Sequence, residues 1–354
     1  MDPSGPDETG PWRVTVTKAG SCILAARDPP MDWSDMRAAV VFEAGGPEKL
    51  VVMEVPTPEV KHGWTLVRVR GFGINHSELF TRQGLSPSVR FPRILGIECV
   101  GEVVKTTNPV RLPQGQTVVS IMGEMGRAFD GGYAEYCLLP NEQVCPVEWD
   151  GDWATLAAIP ETYYTAWLSL KNLRVESGNR LLVRGGTAGV GVAFSRLAHA
   201  ARLSVTVCGT TRSVAKQERL LSAGFDDAVV DANGALQTDE SFDRILELIG
   251  PKTLKDSCRH TTEGGIVCST GLLGGQWYMD DDFSPIDDLP RNGYLTSAYS
   301  GNVSPSLMQE LLDYIRERAV DVAPERVYTL DQVVDAHRYL ESSHSFGKVV
   351  CVTG

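Results

Sequence analysis

The chain has 354 residues, 42% of them apolar and 22% charged, which suits two soluble domains better than one and excludes a low-complexity or collagen-like polymer. A net charge of −12, a sequence pI of about 5.0 and the lack of a long basic run argue against a nucleic-acid partner. No apolar run approaches the ~18 residues of a membrane span. The eight cysteines form no CxxC pair, so they read as buried, reduced thiols of a cytoplasmic protein.

Residues 1–35 carry Pro, Gly and Asp around a short Cys22-Ile-Leu-Ala-Ala segment. They lack the charged start and long apolar stretch of a signal peptide and are expected to form a mobile or loosely docked extension. From Met36 to about Pro160 the chain is rich in strands and turns. Arg37–Phe42, Thr65–Arg70 and Thr117–Met122 read as strands bounded by Gly and Pro, in a small, strongly bent β domain. The pattern then changes. Arg180–Arg184 is a short apolar strand, Gly185–Gly191 a glycine-rich run, and Val190–Ala201 a helix. Ser204–Cys208 follows as a strand and Ser213–Ala223 as a helix, and Ala228–Asp231, Arg244–Ile249 and Gly265–Ser269 continue the strand series. Strands alternating with helices predict a parallel sheet with right-handed crossovers, covered on both faces. Leu307, Leu311, Leu312 and Ile315 predict a helix over Ser306–Arg318. Thr329 is a candidate N-cap for another, and Gly347–Val352 closes the chain as a strand.

The central signal is Gly186-Thr-Ala-Gly189-Val-Gly191, set between a strand and a helix. Glycine lets backbone approach a pyrophosphate without an intervening Cβ, and the helix start offers free N–H groups and a partial positive charge. The spacing is G-x-x-G-x-G rather than the G-x-G-x-x-G of the common dinucleotide fingerprint. At the end of the next strand an NAD site usually places Asp or Glu for the ribose hydroxyls. This chain has Gly209-Thr210-Thr211-Arg212-Ser213, with Lys216 one turn on. Two cations, three hydroxyls and no carboxylate suit a 2′-phosphate, so the expected cofactor is NADPH.

Several ordered motifs then carry a family resemblance. They are Gly73-Ile-Asn75-His-Ser-Glu, Leu95-Gly-Ile97-Glu98-Cys-Val-Gly101, Gly131-Gly-Tyr-Ala-Glu-Tyr136, Thr165-Ala-Trp and the closing Gly347-Lys-Val-Val. From Met36 to Gly354 the chain resembles the medium-chain dehydrogenase/reductase superfamily, in its zinc-independent, quinone oxidoreductase-like branch. The resemblance implies an α/β protein with a GroES-like β-rich catalytic domain over 36–160, completed by 297–354, and a Rossmann doubly wound parallel sheet over 161–296. It implies a small-molecule substrate, a quinone or an α,β-unsaturated carbonyl. It also leaves a homodimer open, since relatives often pair through the cofactor domain.

Zinc members place Cys where this chain has Asn75, His where it has Ile97, and commonly Cys or Asp near Glu161. Asparagine is a poor zinc ligand and isoleucine none, so no metal is expected. His76, Glu98 and Cys99 are assigned to packing and hydrogen bonding instead. The expected cofactor contacts are Asn75 and Thr165 near the nicotinamide; Gly186, Ala188, Gly189 and Val190 under the pyrophosphate; Thr210, Thr211, Arg212 and Lys216 at the adenosine phosphate; and Gly271 and Leu272 beside the nicotinamide half. Ser345 and Phe346 are placed where they would close that pocket. Tyr133, Tyr163, Tyr164, Glu161 and His76 are candidate proton donors, none singled out. Two alternatives stay open: an enoyl reductase of a biosynthetic, polyketide-type pathway, and a protein that binds NADPH without turnover.

Overall fold

The computed structural model describes residues 12–16, 22–26, 35–342 and 344–354. Most of the expected N-terminal extension lies outside these residues; Trp12–Val16 and Cys22–Ala26 pair as antiparallel strands. The β-rich unit is organised around one long strand, Trp64–Ile74. That strand pairs with Glu98–Thr106, Tyr136–Pro140 and the closing strand Val349–Val352, and the sheet continues outward through Thr117–Ile121 on one side and Arg326–Thr329 on the other. A smaller sheet joins Leu50–Pro56, Asp35–Val41 and Arg93–Ile94. Val67, Val69, Phe72 and Tyr133 fill the core between them.

The second unit is a parallel sheet ordered Asp227–Ala232, Thr206–Thr211, Arg180–Arg184, Phe242–Glu247, Thr261–Ser269, Tyr294–Ser297, with the short Ala235–Leu236 strand turned back on its first edge. Leu181, Leu182 and Val183 are fully buried, as a sheet covered on both faces requires. The strand order reverses between Arg180–Arg184 and Phe242–Glu247. In an open α/β sheet that switch point opens a crevice at the carboxyl ends of the strands, where ligands bind. The architecture is a GroES-like β-rich unit joined to a Rossmann-type sheet.

Two local expectations are corrected. The helix predicted over Ser213–Ala223 is a 3-10 turn at Val214–Lys216 followed by a short α-helix, Gln217–Ser222. Ser213 is extended and shares hydrogen bonds with the Thr211 hydroxyl, a local bonding that competes with helix. The strand Arg180–Arg184 is not simply apolar: Arg184 is fully buried and its guanidinium donates to Asp231, Ser257 and the carbonyls of Thr253 and Gly234, with Asp256 paired at 2.8 Å. The helix Pro305–Glu317 buries Met308, Leu311, Leu312 and Ile315 in the cluster that holds Trp167, Phe194 and Leu197, and Tyr314 Oη donates to the Leu197 carbonyl. The next strand after it, Arg326–Thr329, joins the β-rich sheet. An apolar stripe at helical spacing says that a helix has a buried face, not which unit covers it.

Candidate active site

The glycine run leaves the end of Arg180–Arg184 and enters the helix Gly189–Ala200, with Ala188 extended at the N-cap. Backbone passes backbone here without room for a side chain. A Cβ on Gly186 would stand 3.0 Å from Gly209 Cα, and one on Gly191 would stand 2.7 Å from the Gly185 carbonyl oxygen. The first turn carries no acidic residue, so its amide dipoles are uncompensated by the chain's own charge. Gly186, Ala188, Gly189 and Val190 thus cluster at the switch point; Thr210 and Thr211 end the strand Thr206–Thr211, and Arg212, Gly271 and Leu272 follow strand ends along the same edge. Their side chains are used differently. Thr210 is buried and accepts from Gly185 N at 3.0 Å, bracing the glycine turn. Thr211 is buried and turns to Ser213. Arg212 is exposed and pairs with no described residue, and Lys216 closes the 3-10 turn. Gly271 N donates to the Glu247 carbonyl.

Phe346 and Gly347 arrive at the glycine run from the far end of the chain. Gly347 N donates to the Thr187 carbonyl at 3.3 Å and Gly347 bridges Ala188. A cavity of about 200 Å³ beside them is lined by Tyr163, Gly189, Arg196, Phe346, Gly347 and Lys348. That is below the ~300–1,000 Å³ of a typical ligand pocket.

The next residue brings a second group together. The register sets Val349 against Ile74, which carries Lys348 to the side of Asn75 at the end of the long strand. Lys348 Nζ donates to Asn75 Oδ1 and to Glu98 Oε1, both at 2.6 Å. Asn75 Nδ2 donates to Glu98 Oε1 at 2.8 Å, and the backbone N–H of Glu161 donates to Glu98 Oε2 at 2.8 Å. Glu98 is fully buried and Lys348 only 6% exposed. Asn75 opens the helix His76–Arg82, and its own N–H donates to Glu78. Burial raises the Glu78 carboxyl to about 7, and burial with the Glu98 charge raises Glu161 to about 7. His76 is held below its ordinary value by burial and the Lys348 ammonium.

Thr165 lies on the same helix as Glu161, is 7% exposed, and donates to Glu161 Oε1 at 3.3 Å. Asn75 and Thr165 therefore sit on opposite sides of one buried polar cluster. The three tyrosines considered as proton donors are committed elsewhere: Tyr133 pairs with His337, Tyr163 Oη donates to the Asp321 carbonyl, and Tyr164 Oη to the Asn302 carbonyl. Among the described residues no group of three or more His, Cys, Asp or Glu side chains is arranged to hold a metal ion. Lys348 and Ser300 escaped the sequence reading. A lysine set directly before a buried apolar strand at Gly347-Lys348-Val349 is the signal for the first; Ser300, in an irregular loop, carries none.

Two family models match the chain: an alcohol dehydrogenase GroES-like domain over residues 61–149 and a zinc-binding dehydrogenase over residues 223–351. The chain is 26% identical over 334 residues to a quinone oxidoreductase of Rattus norvegicus, covering 89% of this chain and 97% of that one. It is 26% identical over 325 residues to a phenolphthiocerol synthesis polyketide synthase type I of Mycobacterium bovis, covering 86% of this chain but 14% of that protein. The chain spans less than a fifth of the polyketide synthases it matches. A mycobacterial protein solved in complex with NADPH superposes with a TM-score of 0.76 at 25% identity, over 90% of this chain and 99% of the other. A thermostable alcohol dehydrogenase from Pyrobaculum aerophilum superposes with a TM-score of 0.77 at 23% identity, over 90% and 100%, and shows the fold alone.

Proposed function

The chain belongs to the medium-chain dehydrogenase/reductase superfamily and is quinone oxidoreductase-like; on that premise we propose that it reduces a quinone or an α,β-unsaturated carbonyl with NADPH and without a catalytic metal. The observation that carries this reading is the Lys348 ammonium, seated between Asn75 Oδ1 and Glu98 Oε1. A cation already engages Asn75, and Asn75 and Ile97, at two of the three positions where zinc members carry ligands, are poor or impossible zinc ligands. The match to the zinc-binding dehydrogenase model, at residues 223–351, includes neither of these positions nor Glu161. Incubation with a strong chelator should leave turnover unchanged, with no stoichiometric zinc by elemental analysis; activity that falls with zinc loss would refute a metal-free site.

The cofactor residues fit the group. Gly186 and Gly191 keep the run close to the sheet, and the first turn of Gly189–Ala200 presents N–H groups to a pyrophosphate. When bound, NADPH supplies the hydride, which a delocalising acceptor takes without a Lewis acid. Asn75 and Thr165 border the reacting end, and the buried cluster around them excludes water and holds orientation. Arg212 meets the adenosine phosphate. Arg212→Ala should weaken NADPH by about 10- to 100-fold, the ~1.5–3 kcal/mol of a charge-assisted hydrogen bond, while leaving NADH little changed. Equal losses for both cofactors, measured by calorimetry, would remove Arg212 from the phosphate site.

The same site supports enoyl reduction of a biosynthetic intermediate as a second reading, favoured by the similarity to one stretch of polyketide synthases. Steady-state assays with quinones and enones side by side separate the two. NADPH binding with no oxidation by any acceptor would favour a non-catalytic protein. A cytoplasmic setting belongs to this reading, supported by the seven cysteines from Cys99 to Cys351, which are free and buried.

A further inference from the structure

We propose that Glu161 is the proton donor of this site, its carboxyl delivering the proton that completes reduction of the acceptor. The inference rests on the reading above and deepens it. Glu161 stands in the first turn of the helix Pro160–Asn172, and the hydrogen bond from its N–H to Glu98 Oε2 ties that turn to the cluster around Asn75. Its two carboxyl oxygens are in different surroundings. Oε1 accepts from Ser300 Oγ at 3.0 Å and from Thr165 Oγ1 at 3.3 Å. Oε2 is enclosed and has no hydrogen-bond partner. Two hydroxyl donors on one oxygen leave the other as the place for the acid's own hydrogen, so the O–H lies on Oε2. An enclosed carboxyl oxygen without a donor is costly as a carboxylate and much less so as an acid.

The charges that face Glu161 are few. Glu98, on the strand Glu98–Thr106, opposes its ionisation; Lys348, on the segment entering the closing strand, favours it. Glu78 and His76 lie beyond these on the helix His76–Arg82, and the Ser300 loop contributes a hydroxyl. Burial outweighs the lysine, and the carboxyl titrates near 7, where a general acid is useful. His76, kept neutral, is a poor alternative, and the three tyrosines are engaged elsewhere.

The step balances as follows. Once hydride has added to the β-carbon of an enone, the acceptor holds an extra electron pair delocalised onto the carbonyl oxygen. The Glu161 O–H bond breaks, its electron pair stays on the carboxylate, and a C–H bond forms at the α-carbon; for a quinone the new bond is O–H. Water then returns a proton to the carboxylate, so that one proton is consumed per hydride transferred.

The test combines a pH profile with a spectroscopic titration of the full chain. In the unmodified enzyme kcat should be level in acid and fall as the pH rises through about 7, because the protonated form is the active one. E161Q keeps the hydrogen bonds and loses the transferable proton. It should lower kcat by about 100-fold or more, abolish the basic limb and leave the NADPH dissociation constant within about twofold. E161D, which retains an acid, should recover part of kcat together with the limb. Independently of turnover, the protonated carboxyl stretch in the infrared should bleach with a midpoint near 7 in the unmodified enzyme, Glu78 and Glu161 both contributing, and E161Q should remove the Glu161 part of that amplitude. Turnover of enones or quinones with an unaltered limb in E161Q, or a carboxyl band whose amplitude that substitution leaves unchanged, sinks this inference alone. No turnover of any such acceptor by the unmodified enzyme sinks the underlying reading and this inference with it.

Discussion

Replacing Lys348 with methionine should cost about 3–5 kcal/mol of stability against denaturant, the usual result of leaving one member of a buried ion pair alone. Glu98 is fully buried, and the ammonium is one of three groups that satisfy it. Methionine matches the length of the stem but provides no charge, so the remaining donors, Asn75 Nδ2 and Glu161 N, must hold a carboxylate in a site of low dielectric. Adding Glu98→Gln should recover much of the loss, because the double variant removes both charges; a double variant as unstable as the single one would show that packing rather than charge dominates. Asn75 also loses its partner on Oδ1. A pH effect accompanies the stability effect. Lys348 favours the ionised form of Glu161, so its removal should raise that carboxyl further above its already elevated value of about 7. The basic limb of any residual activity should then move to higher pH. A downward shift would contradict the arrangement.

Gly191→Ala should weaken NADPH by at least about tenfold, or ~1.4 kcal/mol, while leaving most of the fold in place. The added methyl group would stand 2.7 Å from the Gly185 carbonyl oxygen and 3.0 Å from Gly186 Cα. Both are backbone atoms that cannot rotate away, so either the helix Gly189–Ala200 must withdraw or the run before it must move. The N–H groups at the helix start are useful to an anion only when aimed correctly, and a displacement of well under 1 Å is enough to misdirect them. Calorimetry with NADPH reads the loss directly, and circular dichroism checks that the sheet persists. Undiminished binding would mean that the pyrophosphate lies elsewhere on the molecule.

The parts of this protein that were legible in the residues are those whose signal is local. A strand, a glycine run and a helix follow one another within about twenty residues, and their periodicities and breakers need no distant partner to be recognised. The parallel sheet follows from repetition of that unit. Even within it, the helix expected at Ser213 was shortened by hydroxyl bonding that periodicity does not register. The hydroxyls of Thr210 and Thr211 are engaged within the chain, a use that strand-end position alone does not announce.

The buried polar cluster belongs to a different class of information. Lys348 reaches Asn75 across 273 positions, and it does so because an antiparallel register sets Val349 against Ile74. Shifting that pairing by one residue would turn the lysine to the other face of the sheet and leave Glu98 without its cation. Local pattern can announce that a strand closes the chain; it cannot say which strand it joins, at what offset, or which charges are thereby carried out of water. Contiguous residues were therefore sufficient for the fold class and for the strand–glycine–helix turn. The pairing of Asn75, Glu98, Glu161 and Lys348 arose from long-range packing, where burial makes each unpaired polar group costly enough to choose its partner.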